Sequence, residues 1–221
     1  MKNKPLLITI AFLIIAISSV AQLTDNEGTT YKTIKIGMQI WTAENLNVGH
    51  FQNGDPIPQA KTVEEWKNAN ENGKPAWCYY DNDPENGKKY GKLYNWNTVN
   101  DPRGLAPAGW HVPSDAEWRQ LIDYLGGDSL ACPKMKNNNG WKKLSYDHNG
   151  TNESGFAGLP GGCCYGNGTF DFLDEEGNWW SSTGESLLQA WCIGISQSKW
   201  CSVIRDTLQK EDGFSIRCVR D

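Results

Sequence analysis

The stretch GWHVPSDAEWRQLIDYLGG, residues 109–127, brings His111 together with three acids and an arginine. A histidine beside carboxylates is a side-chain set that general acid–base catalysis uses. The same residues also describe a helix boundary, because Ser114 followed three positions later by Glu117 is a capping box and two glycines end the segment. Acids in a first helical turn are favoured by the helix dipole without any chemistry. We therefore predict a principal helix over 114–125 and no catalytic site there.

Catalytic motifs are missing from the rest of the sequence. The histidines stand alone at positions 50, 111 and 148, and no HxH, HExxH or GxSxG arrangement occurs. His111, between Trp110 and Val112, is most simply a strand residue that leads into a proline. We therefore predict a protein that is not an enzyme. An enzyme of unknown reaction remains the third alternative, after a binding module and a structural surface protein.

The predicted helix carries one apolar stripe, which indicates how it packs. Trp118, Leu121, Ile122 and Leu125 recur at helical spacing and predict a buried face on a sheet. The remaining pattern predicts a β-hairpin over 31–49, a short helix over 62–75, two aromatic strands within 76–99, a long irregular surface loop over 132–155 and short strands beyond it. One principal helix packed on short, mostly antiparallel strands is an α+β architecture.

Seven cysteines stand at positions 78, 132, 163, 164, 192, 201 and 218, and none forms a Cys-x-x-Cys pair. Their spacing therefore favours neither a redox motif nor a zinc site. Cys192 and Cys201 bracket a segment that can turn at 196–197, which would place the two side chains opposite each other across a hairpin. A disulfide between them is our hypothesis, and two small buried residues are the alternative.

The acidic loop DNDPENG, residues 81–87, is the candidate metal site. Asp81, Asp83 and Asn86 offer the oxygen ligands that calcium takes, although the glycine stands one place too late for an EF-hand loop. Solvated turns held by bonds from side chain to backbone are the favoured alternative. The lectin-type motifs Glu-Pro-Asn and Trp-Asn-Asp are absent from the sequence, which argues against a sugar bridged by calcium. The sequence therefore indicates no cofactor, with calcium at this loop as the alternative.

Eleven tryptophans are many for a domain of this size. Most can fill the core, but Trp179 and Trp180 are neighbours whose side chains would point to opposite faces of a strand. One of the two rings is therefore a candidate for exposure, as a platform for a sugar or as a contact for a partner, and packing of both rings in the core is the alternative. Trp141, in the long loop, is the third candidate for a ligand-binding ring.

A basic start, MKNKP, is followed by the apolar run LLITIAFLIIAISSV and by small residues, which together predict a secretory signal peptide. Cleavage is predicted between Ala21 and Gln22, with an uncleaved anchor as the alternative. The run is too short for a membrane span, so we predict no transmembrane span in the mature chain.

The chain carries a net charge of −5, and the leader holds lysines but no acid, so the mature chain is more acidic still. That balance argues against nucleic acid as a partner, since nucleic-acid binding needs a clustered basic surface.

Seven segments resemble one known family, the Fibrobacter succinogenes major paralogous domain. They are YKTIKIGMQIWTAENLNV, WCYYDNDPENGKKYGKLYNW, LAPAGWHVPSDAEW, LIDYLGG, TNESGFAGLPGG, WWSST and GFSIRCVRD. They occur in the family's order and cover most of residues 31–221. The resemblance implies a C-type-lectin-like fold and a place among exported or surface proteins of bacteria, and it implies no reaction.

The chain departs from the family pattern at its cysteines. Cys163 and Cys164 replace an aromatic and a basic residue after LPGG, and Cys192 replaces a tyrosine after AW. Cys132 and Cys201 likewise look like additions to the pattern. The extra cysteines fall mostly in neighbouring strand-like segments, which favours added disulfides over a new active site. We expect at least one bridge among Cys163, Cys164, Cys192 and Cys201.

The sequence thus predicts a signal peptide over 1–21, a short N-terminal segment over 22–30 and one domain over 31–221. We expect a secreted, non-enzymatic binding module in the periplasm, at the cell surface or outside the cell. Its expected partner is an extracellular polysaccharide or glycoprotein. The alternative is a structural or adhesive surface protein that makes contacts with other proteins.

Overall fold

The computed structural model of the chain describes residues 22–142, 150–197 and 201–221. The predicted signal peptide lies outside these residues, as do His148 and Trp200. Among the residues described, no helix is long and apolar enough to cross a membrane.

The helices begin where the sequence supplies caps. In the described residues they are α1 (Val63–Glu71), a 3₁₀ turn (Tyr80–Asn82), α2 (Pro84–Tyr90), α3 (Trp96–Val99), α4 (Asp115–Tyr124) and α5 (Asp128–Met135). The capping box predicted for α4 is present, because Ser114 and Glu117 each accept a hydrogen bond from the other's backbone N–H. At the start of α1, Thr62 Oγ1 accepts from the Glu65 backbone N–H. Both predicted helices are therefore confirmed.

Within the described residues, the strands form two five-stranded sheets and one separate pair. They are β1 (Gln22–Thr24), β2 (Thr30–Ile36), β3 (Gln39–Thr42), β4 (Trp77–Cys78), β5 (Leu93–Tyr94), β6 (Trp110–His111), β7 (Gly161–Cys164), β8 (Phe170–Leu173), β9 (Glu176–Gly184), β10 (Gln189–Ser196), β11 (Val203–Gln209) and β12 (Val219–Arg220). The first sheet has the order β1-β2-β3-β12-β6, the second the order β11-β10-β9-β7-β8, and β4 pairs with β5. In the described part of the chain, every pairing of two of these strands is antiparallel except that of β7 with β9. The predicted mixture of helices and mostly antiparallel strands is confirmed, and the hairpin predicted over 31–49 is β2 and β3.

The apolar stripe of α4 lies in a core that both large sheets share. Trp118, Leu121 and Ile122 are buried in one cluster with Trp41 of β3 and Trp179 of β9. The rings of Trp41 and Trp118 are 4.7 Å apart between centroids. Burying an aliphatic or aromatic side chain of this kind contributes roughly 1.5–3 kcal/mol. The packing predicted for this helix is therefore confirmed, and α4 links the two sheets.

Two loops predicted from polar composition contain helices. The strands predicted within 76–99 are present as β4 and β5, but the segment between them folds into α2. Asp83 accepts from the Glu85 backbone N–H and Pro84 occupies the first turn, which are both features that start a helix. At the beginning of the loop predicted over 132–155, α5 forms because its apolar residues enter the core beside α4.

One disulfide joins Cys132 of α5 to Cys201, which lies just before β11. The predicted partner of Cys201 was Cys192, but Cys192 lies opposite Asp206 on β11. The hypothesis of a bridge between Cys192 and Cys201 is therefore wrong. Its error is one of register, since the connection between β10 and β11 is longer than the two-residue turn on which the hypothesis depended.

The other five cysteines are free and buried, at positions 78, 163, 164, 192 and 218. Cys163 and Cys164 belong to different core clusters, as expected for neighbours on one strand. Each thiol therefore packs as a small apolar group in place of bonding to another cysteine. The expected bridge within the set Cys163, Cys164, Cys192 and Cys201 is wrong, because Cys201 bonds outside that set.

Candidate functional site

The tryptophans proposed as a platform are buried. Trp179 and Trp180 do point to opposite faces of β9, but both faces are covered and each ring is 0% exposed. Trp179 packs edge-on against Phe156 with ring centroids 5.5 Å apart, and Trp180 lies 4.5 Å from Phe214. Trp141 is 6% exposed, and its indole N–H donates to the Gly158 carbonyl oxygen. The prediction that one of these rings is presented to a ligand is therefore wrong.

The acidic loop proposed for calcium is the start of a helix. Asp83 is the N-cap of α2, and the side-chain amide of Asn86 donates to the Tyr80 carbonyl oxygen. Asp81 is exposed and adopts a positive φ of 52° within the 3₁₀ turn. In the part of the chain that the structure describes, no three His, Cys, Asp or Glu side chains are grouped as metal ligands would be. Asp83 and Asn86 are therefore already engaged with the backbone.

His111 lies between two carboxylates. Its Nδ1 is 2.6 Å from Asp221 Oδ1 and its Nε2 is 2.8 Å from Glu117 Oε1. Asp221 reaches this position because β12 pairs with β6. The nearby hydroxyl of Ser114 donates to Glu117 and thus serves the helix cap, not the imidazole. His111 therefore does contact a carboxylate of the stretch 109–127, and through Asp221 it also joins the end of β12 to α4.

The pH dependence of unfolding is expected to report on this cluster. Burial by itself lowers the pKa of His111, but hydrogen bonds to Asp221 and Glu117 raise it by more. A raised pKa in the folded state contributes stability that is complete below the unfolded value of about 6.5 and is lost as pH rises through the folded value. For Glu117, burial raises the pKa, but bonds from Ser114 and His111 lower it by more. The stability that Glu117 contributes through this lowered pKa is therefore lost as pH falls below about 4.3.

We expect the free energy of unfolding to be higher at about pH 5.5 than at about pH 8.5, and the excess to shrink in His111→Gln. Urea unfolding at the two pH values, read by tryptophan fluorescence, measures the difference for each protein. The comparison isolates His111 because all other titrating groups are common to both proteins. A variant that keeps the whole wild-type difference would contradict the assignment.

A polar cleft of about 520 Å³ opens beside the β2–β3 hairpin and α2. Its walls are residues 29–32, residues 87–91 and parts of the segment 152–159, and Asn45 and Arg217 lie at its base. This volume lies within the range of about 300–1,000 Å³ that is typical of small-molecule sites. The cleft is therefore the candidate binding site.

Asn45 holds the base of the cleft together. Its side-chain oxygen accepts from the indole N–H of Trp179 at 2.9 Å and from Nε of Arg217 at 2.7 Å. Its side-chain nitrogen donates to the Tyr90 carbonyl oxygen at 2.8 Å and to Ser215 Oγ at 3.1 Å. All four hydrogen-bonding positions of this amide are thus in use. The base is therefore preorganised by contacts from β9, from α2 and from the segment that precedes β12.

Arg217 is a buried cation at this base. Its guanidinium is 1% exposed and stacks on Phe156 at 4.3 Å from the ring centroid. Its Nη1 donates to the carbonyl oxygens of Thr42 and Phe156, and its Nη2 donates to that of Ala157. Burial lowers the pKa of Arg217 to about 9, so the group stays protonated at neutral pH. The carbonyl dipoles therefore solvate a positive charge inside the protein.

The rim of the cleft carries polar and charged side chains. Lys89 Nζ lies 3.6 Å from Asp174, and the Tyr90 hydroxyl donates to the same carboxylate. Burial and this carboxylate raise the pKa of Tyr90, so its hydroxyl remains a donor at neutral pH. The half-buried amides Asn137 and Asn152 complete the opposite side. The arrangement offers both donors and acceptors to a polar ligand.

Sequence reasoning did not find this cleft. Asn45 lies in AENLNV and Arg217 in GFSIRCVRD, segments that marked the family but that carried no catalytic motif. A signal was present in the second segment, where one arginine interrupts an apolar strand-like run. Such a charge must either face solvent or join a buried polar network, and the structure places it in a network.

The comparison with protein families gives one match. The model of the Fibrobacter succinogenes major domain matches residues 34–220, which is most of the chain. No curated protein and no solved structure was found to match. The segments around Asn45 and Arg217 both lie inside the matched range.

Proposed function

We propose, for a chain that belongs to the Fibrobacter succinogenes major domain family, that it is an exported, non-enzymatic module which binds a glycan in the polar cleft. The observation that carries the proposal is the preorganised base, where Asn45 and Arg217 are fixed by hydrogen bonds before any ligand arrives. A sugar presents many hydroxyls, and it is held best by donors and acceptors whose positions are already set.

The chemistry of the walls supports a sugar over an apolar ligand. Besides Asn45, whose amide is fully engaged, three asparagines line the cleft, at positions 47, 137 and 152, and amides both donate to and accept from hydroxyls. The side chains of Tyr31 and Tyr90 are buried where they border the cleft. Because these groups come from separate elements, a bound sugar would be contacted from several sides.

Export and a C-type-lectin-like fold are parts of the same proposal. Export is supported by the predicted signal peptide, and recovery of the protein with Gln22 as its first residue tests it. The fold assignment is supported by α4 packed on mostly antiparallel strands and by β12, which returns to lie beside the N-terminal hairpin. An experimental structure compared with lectin domains tests that assignment.

A blocked cleft is expected to abolish glycan binding. Ala43 is half-buried and lines the cleft, so Ala43→Trp would fill the space with an indole. We expect the wild-type protein to bind a subset of a glycan array and Ala43→Trp to lose that binding by about tenfold or more. Ala108→Trp, at an exposed alanine outside the cleft, is the matched control and should bind like the wild type.

Chemical unfolding of all three proteins checks that Ala43→Trp is folded. Equal binding by Ala43→Trp and Ala108→Trp would show that the sugar binds elsewhere and would contradict the proposed site. Silence of the wild-type protein across a broad array would count against a glycan-binding function altogether.

Contact with a surface protein is the second candidate function. The turn between β9 and β10 presents Leu187 and Leu188, which are 94% and 68% exposed. Neighbouring exposed leucines are typical of a contact surface. Binding of the purified protein to intact bacterial cells separates the two functions, because protease treatment of the cells removes protein partners and leaves glycans. Loss of binding after that treatment and in Leu187→Ser/Leu188→Ser would favour the second function.

A further inference from the structure

The charges around the cleft are unbalanced. Among the described residues, its charged lining residues are Lys32, Lys88, Lys89, Arg217 and one acid, Glu44. The chain as a whole carries a net charge of −5. A surplus of positive charge in one concave place on an acidic protein is therefore a local feature, and it attracts anions to that place.

Two of these cations are already paired. Lys88 lies 2.5 Å from Glu85 and Lys89 lies 3.6 Å from Asp174. Lys32 has no ion-pair partner within 4 Å in residues 22–142, 150–197 and 201–221. The carboxylate of Glu44 accepts a hydrogen bond from the backbone N–H of Lys32, and it forms no ion pair with the ammonium group of that residue.

Arg217 is the second cation without an ion pair within 4 Å among the described residues, although the Glu44 carboxylate acts on it at longer range. A guanidinium has five N–H donors, and its contacts with Asn45, Thr42, Phe156 and Ala157 use four of them. The fifth, on Nη2, has no acceptor within the described part of the chain. Buried charges are normally paired, because desolvation costs several kcal/mol unless an opposite charge or a full set of hydrogen bonds compensates. An anionic oxygen in the cleft would supply that acceptor and a negative charge in direct contact with the guanidinium.

We propose that the glycan bound in the cleft is acidic, with a carboxylate or sulfate group seated over Arg217 and beside Lys32. The inference rests on the proposed function and adds the class of sugar to it. The anionic group provides the acceptor for the fifth N–H, and Lys32 steers the same group from the rim. A neutral sugar of the same size can accept from this N–H through a hydroxyl, but it brings no negative charge to Arg217 and Lys32.

Two matched pairs of probes test the inference. The first pair is an oligogalacturonate and its methyl ester, and the second is dextran sulfate and unmodified dextran. We expect the acidic member of at least one pair to bind about tenfold more tightly than its neutral partner, since hydrogen bonds to charged groups are the stronger kind. The pair that responds distinguishes a carboxylate from a sulfate. The preference should fall as salt is raised.

The variants Lys32→Gln and Lys35→Gln locate the interaction. Both residues are exposed on β2, and only Lys32 lines the cleft. We expect Lys32→Gln to weaken binding of the acidic probe by about threefold and Lys35→Gln to leave it unchanged. Both variants remove one positive charge, so a general effect of net charge would lower the two affinities equally.

Equal affinity within both pairs, or equal effects of the two lysine variants, would overturn the inference. Failure of both acidic probes to bind would overturn it as well. In each of these cases the proposed function would still hold if the wild-type protein bound a neutral glycan and Ala43→Trp did not. Absence of all glycan binding would remove the proposed function and the inference together.

Discussion

Replacing Cys132 and Cys201 together with serine is expected to lower the free energy of unfolding by about 4 kcal/mol. The bridge spans 69 positions of sequence, and a cross-link stabilises mainly by restricting the unfolded chain, with about 3 kcal/mol for a 15-residue loop and about 4.7 for a 100-residue loop. Both cysteines contact the core beneath α4, so the bridge closes the loop without exposing its sulfur atoms widely. The loss should therefore be large compared with the effect of a typical surface substitution.

Guanidinium unfolding with and without reductant measures this effect. The wild-type midpoint should fall when reductant is added, and the midpoint of Cys132→Ser/Cys201→Ser should stay unchanged. Peptide mapping of the non-reduced wild type should link Cys132 to Cys201 and should find Cys192 as a free thiol. A link between Cys192 and Cys201 would restore the pairing that the hairpin pattern predicted and would contradict the observed register.

Features set by neighbouring residues could be predicted from the sequence. The cap at Ser114 and the cap at Thr62 need only side chains a few positions away, and both helices begin where those residues predict. The β2–β3 hairpin was likewise predictable from alternation around one glycine. These elements depend on local hydrogen bonds and on the spacing of apolar residues, which a linear pattern contains.

Features that depend on what covers an element could not be predicted. The pattern correctly placed Trp179 and Trp180 on opposite faces of a strand, yet it could not indicate that both faces of β9 are covered. The contact of His111 with Asp221 depends on β12 lying next to β6, which local patterns do not predict. For the same reason, local patterns did not predict that Cys201 bonds to Cys132 of α5 instead of to a cysteine on the neighbouring strand.

The candidate site is the extreme case, because Asn45 and Arg217 are 172 positions apart and meet only in the folded chain. What marks them is that both side chains are buried and joined to each other by a hydrogen bond, and that combination exists only after the sheets have assembled. The family resemblance identified both segments as parts of the domain, but it did not indicate that they share a cleft.

Asn45→Ala is expected to lower the free energy of unfolding by about 3–5 kcal/mol, because one amide satisfies several buried groups. Its removal leaves the indole N–H of Trp179 and the Nε–H of Arg217 without their acceptor. Each unsatisfied buried donor costs about 1–3 kcal/mol, and more when the group is charged. The Tyr90 carbonyl oxygen loses a donor at the same time.

Asn47→Ala is the matched control for this prediction. Asn47 also lines the cleft, but it is half-buried and its side chain accepts a single bond, from Lys92 at 3.1 Å. We expect its loss to cost about 1 kcal/mol. Asn45→Asp supplies a second test that folds more readily, since it keeps both acceptor contacts and loses only the donated bonds. It should fall between Asn45→Ala and the wild type in urea unfolding. If Asn45→Ala unfolded within about 1 kcal/mol of the wild type, the amide could not be what holds Arg217 at the base of the cleft.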